Sequence, residues 1–167
     1  MIRQFKVLQS VKKMREDRAL RELMKAREDL RKAEERLRDA ITAVEDSART
    51  LPDRERAIYA EILRKIVGLP DIDSAKDRVL ALQMDHQRLI DRRGRAEDHV
   101  KRMQEALVEA QAEYRRKQQE VEKIDTLLER MIREAAEEAT AKEEAEIEEL
   151  FSKPGKRPDT PAESALQ

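Results

Sequence analysis

A seven-residue apolar repeat holds its phase for more than sixty residues in the second half of this chain. One series runs Ile72, Val79, His86, Arg93, Val100, Leu107, Tyr114, Val121, Leu128, Ala135. The other runs Ala75, Leu82, Leu89, Ala96, Met103, Ala110, Lys117, Ile124, Met131. Interleaved, they give alternating spacings of three and four. An α-helix has 3.6 residues per turn, so a strict 3.5-residue stripe stays in line only if helices supercoil about each other. The segment is therefore one strand of a coiled coil, and it needs a partner helix.

The first half supplies one. Leu23, Ala26, Leu30, Ala33, Leu37, Ala40 and Val44 repeat in the same way. The pattern then reads as slipping by one residue, to Ile41, Val44, Ala48, Leu51, Glu55, Ile58 and Ile62. Pro52 falls inside this run, and an interior proline removes a helix hydrogen bond. Helix 1, about 2–68, is thus expected to kink near 50–53, or to restart there with Thr50 as N-cap. Gly68-Leu69-Pro70-Asp71 reads as a break: glycine suits the position after a helix, and proline stops its continuation. The expected turn is 69–71, with Asp71, Asp73 or Ser74 capping helix 2, about 72–150.

Residues 2–68 and 72–138 would then pair over about 100 Å, with helix 2 running on to about 150. A short turn makes neighbours antiparallel, so residue i should face 139−i or 140−i. Basic residues near the N-terminus would lie beside Glu134, Glu137 and Glu138. The expected fold is all-α: a long antiparallel two-helix coiled-coil hairpin spanning 1–151, with a flexible tail at 152–167. A monomeric hairpin is expected ahead of a dimer; the alternative is a homodimeric coiled-coil scaffold. Position 52 would face about 87, near Arg93-Gly94, where an interior glycine weakens the helix.

Composition agrees with a rod: 44% of residues are charged, 2% are aromatic, and there are three glycines and no tryptophan. Such a chain buries a thin seam, which leaves few concave apolar walls for a small molecule. The absence of cysteine excludes a disulfide frame and thiol chemistry. His86 and His99 are the two histidines, with no metal-ligand spacing around them. Lys153-Pro154-Gly155-Lys156 lacks the spacing and the Ser/Thr of a phosphate loop. Carboxylate pairs such as Glu34-Glu35 and Glu143-Glu144 dress solvated helix faces. No catalytic, cofactor or metal site is expected, and the chain is read as not an enzyme.

Charge is unevenly distributed around a net −1. Residues 1–27 carry nine Lys/Arg against three Asp/Glu, and 134–149 carry eight Glu against one Lys. Without aromatics there is no platform for base stacking, so nucleic acid is not an expected partner. No apolar run approaches a membrane span; the expected location is cytoplasmic, without direct membrane insertion. Candidate contacts are Phe5, Leu8, Lys12, Lys13, Arg15 and Arg18 at the open end. Near the turn they are Tyr59, Leu63, Met84 and Ile90, apolar residues outside the seam.

The opening RQFKVLQSVKKMREDRALRELMKAREDLRKAEERL, with the Arg15-Glu16-Asp17-Arg18-Ala19…Leu23 rhythm, a mid-chain break, a second long helix and an acidic end, resembles the YscO/FliJ family. These are coiled-coil stalk proteins of type III secretion and flagellar export. The resemblance covers about residues 1–150. It implies a central stalk and adaptor whose open end sits in a hexameric secretion ATPase. The tip would reach the cytoplasmic domain of the export gate, and secretion chaperones would be further partners. It also implies a peripheral position at the inner-membrane secretion apparatus.

Overall fold

A computed structural model describes residues 1–155 and contains two helices, α1 (Ile2–Leu63) and α2 (Leu69–Ser152), packed against each other as a hairpin. By their rise they are about 90 and 125 Å long. The tail expected at 152–167 lies, from 156 onward, outside the described residues.

The turn occupies 64–68, so α1 ends five residues before the expected 68 and α2 begins three before the expected 72. Pro70, read from sequence as a stop for α1, sits in the first turn of α2. There its missing N–H has no intrahelical partner to lose. The Gly68 N–H donates to the Asp71 carboxylate at 3.1 Å. Asp71 therefore supports the helix start from its N3 position, with Gly68 as N-cap.

This moves the register. Ser47 meets His86, Gln9 meets Asp125 and Lys12 meets Glu120. Their residue numbers add to 133, 134 and 132, where 139 or 140 was expected. The displacement is one heptad. An apolar stripe that repeats every seven residues matches equally well after a seven-residue slide. Turn position decides between the two registers, and the turn was misplaced in the sequence reading.

The seam of α1 also differs. Ser47 is buried and Ala48 is exposed. The stripe therefore runs Leu37, Ala40, Val44, Ser47, Leu51 and Ile58 without a slip; a serine in a core position disguised its continuity. Around the observed register, large side chains stand opposite small ones. Ala33, 1% exposed, is placed opposite Val100, Leu23 opposite Ala110 and Ala19 opposite Tyr114. This alternation lets two helices approach closely without voids. Near the tip, Ile58, Ala75 and Val79 form a small buried cluster flanked by Ile62 and Leu82.

Helix α1 runs unbroken through Pro52, so no new helix starts at Thr50. The Thr50 hydroxyl instead donates to the Asp46 carbonyl at 2.9 Å. In the observed register position 52 lies opposite 81, and Gly94 lies opposite 39. The two suspected weak points are separate, about 20 Å apart along the rod.

The unpaired end of α2 is longer than expected as a result. Ile2 is level with Met131, and residues 132–152 continue as a lone helix with every residue exposed. Glu134, Glu137 and Glu138 therefore do not lie beside the basic N-terminal stretch as expected. That stretch lies along 106–130, which has six Asp/Glu and five Lys/Arg.

Candidate protein-protein interface

A rod of this kind offers two ends and a set of faces. At the open end, Phe5 is half-buried in the seam and Leu8 is exposed. Lys12 is half-buried and donates to Glu120 at 2.8 Å. That hydrogen bond, joined by Lys117 at 3.4 Å, holds the Glu120 carboxyl below its ordinary carboxylate range. Lys12 is thus engaged within the hairpin, while Lys13, Arg15 and Arg18 point to solvent. Arg18 makes only a 3.5 Å contact with Glu22 on its own helix, both side chains well exposed. Between these cations Val7, Val11 and Met14 form an exposed apolar stripe, at spacings of four and three on one face of α1. The overhang is longer than the expected register implies, and its Ile132, Ile147, Leu150 and Phe151 are all exposed.

At the tip, Tyr59, Leu63 and Met84 are exposed, Leu63 to 85%. Ile90 is half-buried, so of the four tip candidates it presents the least surface. Leu80, also outside the seam, and Ile66, Leu69 and Ile72, not singled out as contacts from sequence, add to the exposed apolar surface there. Ile66 and Leu69 belong to the turn and to the first residue after it, which no seam can cover. Arg78 donates to Glu61 at 2.8 Å across the helices and lowers the Glu61 pKa. Gln83 donates to Glu55 at 3.2 Å. These flanking links clamp the end that carries the patch.

Between the ends, the polar seam residues each find a partner. His86 meets the Ser47 hydroxyl, Lys117 reaches Glu113 and Glu120, and Arg93 approaches Glu97. Among the described residues no group of three or more His, Cys, Asp or Glu is placed to hold a metal ion. Also among them, no helix is long and apolar enough to cross a membrane. One surface depression, lined by Lys101, Gln104, Glu105, Val108, Glu109 and Ala112, is a shallow groove on one face of α2.

A paired-helix rod with a basic open end and an apolar tip can bind other macromolecules and carry force, and comparison places it among known proteins. Residues 5–153 match the model of the family described as type III secretion protein YscO. The chain belongs to the YscO family. YscO from Vibrio parahaemolyticus, known from a 2.8 Å crystal structure, has the same fold, with a TM-score of 0.83 at 21% sequence identity. The likeness covers 89% of this chain and 93% of the Vibrio chain. No curated protein matches the chain. A YscO-family protein is a component of type III secretion, and its partners are sought in the secretion apparatus.

Proposed function

We propose that this chain is a non-enzymatic central stalk and adaptor of a type III secretion export apparatus. It would couple the hexameric export ATPase to the cytoplasmic domain of the export gate and handle secretion chaperones on the way. It would do so from a peripheral position at the inner membrane. The observation that carries this reading is the chemical difference between the two ends of one rod. The open end presents cations, Lys13, Arg15 and Arg18, around exposed Val7, Leu8, Val11 and Met14. The tip presents exposed Tyr59, Leu63 and Met84, and its charges balance, with six Asp/Glu and six Lys/Arg within 55–90. Membership of the YscO family supports the setting.

A helical pair about 90 Å long suits this task. Its backbone hydrogen bonds run along the axis and its seam links the arms continuously, so a displacement at one end reaches the other. Each end can then hold a different partner. Among the open-end residues, Lys13, Arg15 and Arg18 are the proposed ATPase contacts. Phe5 and Lys12 hold the pair together beneath them. The hairpin supplies its own partner helix, which favours this reading over a parallel dimeric scaffold.

The test is a pull-down and ATP-turnover assay with the export ATPase of the same organism, comparing the wild-type chain with Lys13→Glu/Arg15→Glu/Arg18→Glu. Binding that raises turnover and is lost in the variant supports the stalk. No binding at low or moderate salt leaves a coiled-coil component of the apparatus with another role.

A further inference from the structure

Residues 132–152 form a lone helix with no covering element among the described residues, and they carry eight Glu against two Lys/Arg. We infer that the open ends of two copies join head to head, the overhanging helix of each lying along the N-terminal part of α1 of the other.

Four observations favour a second copy as the occupant. The first is charge. The overhang holds eight Glu and one Lys within 134–149, and residues 1–27 hold nine Lys/Arg and three Asp/Glu. Inside one hairpin these stretches do not meet, because α2 passes Ile2 at Met131 and runs on. The facing stretch 106–130 is nearly neutral, so the basic excess of 1–27 is left for another molecule.

The second is length and direction. Beyond the end of one hairpin, a second copy abutting it extends along the same axis, and its α1 runs the same way as the first copy's overhang. Residues 132–152 and residues 2–22 are each about 30 Å long, so the two stretches coincide.

The third is apolar surface. Ile147, Leu150 and Phe151 stand at the far end of the overhang, Phe151 at 87% exposure. They reach the level of residues 17–21 of the second copy, between its exposed Met14 and Met24.

The fourth is symmetry. Each copy gives one overhang and receives one, so the contact is isologous and closes at two. Pairing the two overhangs with each other instead would set like charges together.

This inference does not rest on the stalk reading, but it bears on it. The dimer covers the cations proposed to meet the ATPase, so the two contacts would compete, and the dimer would be a resting form of the free protein.

The test uses the isolated full chain in sedimentation equilibrium at low salt over a concentration series. The expected mass rises from 19.5 kDa towards twice that value, and added salt lowers it. Two variants complete the test: Glu143→Lys/Glu144→Lys/Glu148→Lys, and Lys13→Glu/Arg15→Glu/Arg18→Glu. Each alone should associate at least about tenfold more weakly, through like charges across the contact. Mixed together they should recover association, because in the mixed pair both contacts are complementary again. All six residues are exposed, so circular dichroism should show unchanged helix in either variant. A wild-type chain that stays monomeric overturns the proposal. So does association that persists in both variants, or a mixture no more associated than its parts. None of these outcomes involves the ATPase, so failure here and failure of the stalk reading are separately visible.

Discussion

Ser47 Oγ and His86 Nδ1 lie 2.9 Å apart across the seam, and Arg54 donates to the same hydroxyl at 3.3 Å. Ser47 is the one polar residue in the buried seam among the described residues. Its place there has a physical use. The apolar stripe alone allows the arms to slide by a heptad, since every seventh position is again apolar. A slide of that size would set the Ser47 hydroxyl opposite Arg93 or Val79 and leave it without His86. A polar pair in a seam selects register at a cost in stability.

Replacing both members should therefore raise stability and loosen register together. Ser47→Leu/His86→Leu is expected to melt higher than wild type, while Ser47→Ala alone should cost about 0.5–1.5 kcal/mol by leaving the imidazole unpartnered. Spin-label distances across the arms should show one population in wild type and a second, shifted by about 10 Å, in the double variant. A single unchanged population would show that the turn alone fixes register.

Seam packing can be tested by size. Leu23→Ala removes a side chain 4% exposed and should cost about 2–5 kcal/mol. Ala33→Leu puts a larger group where there is no room and should cost about 1–3 kcal/mol. Val108→Ala, on the solvated face of α2, should stay within about 0.5 kcal/mol. Chemical denaturation of the three variants checks the order; equal losses would contradict the large-against-small seam.

Pro52 is exposed and interrupts the hydrogen-bond ladder of a helix that otherwise continues through it. Pro52→Ala restores the bond to the Ala48 carbonyl and should stabilise α1, by up to roughly 3 kcal/mol. The same change should stiffen the rod locally, narrowing spin-label distance distributions that span position 52. Unchanged melting and unchanged widths would mean the proline is already fully accommodated.

Two cross-helix carboxylates give the hairpin a pH dependence with a definite sign. Lys12 lowers the Glu120 pKa and Arg78 lowers that of Glu61, both from an ordinary value of 4.5. A carboxylate with a lowered folded-state pKa stabilises the fold above its unfolded pKa, and that contribution is lost as pH falls through the folded pKa. Stability at low ionic strength should thus decline from about pH 5 downward. Glu61→Gln/Glu120→Gln should flatten the decline. Glu61 is exposed and Glu120 half-buried, so salt should weaken the effect as well, most at Glu61.

Much of this architecture is legible from the repeat. Two heptad arms, a Gly/Pro-marked break and a chain too poor in aromatics for a globular core leave a helical hairpin as the consistent fold. Register is the part that periodicity cannot supply. Pro70 can end one helix or begin another, and choosing the first displaced the pairing by seven residues. That one displacement also shortened the expected overhang, to about 139–150 where 132–152 protrudes. The interface residues were legible in part. Exposed apolarity identified Tyr59, Leu63 and Met84, but Ile90 is half-buried and Lys12 is taken by Glu120, contacts that exist only once the register is set. Ser47 was missed because a polar residue in a core position looks like a phase slip.

Site-specific photocrosslinking in secreting cells addresses the stalk account most directly, with a photoreactive residue at Lys13, Arg15 or Arg18, or at Tyr59, Leu63 or Met84. The account predicts ATPase adducts from the open-end positions and export-gate adducts from the tip positions. Adducts in the reverse arrangement, or both partners captured from the same end, would contradict it.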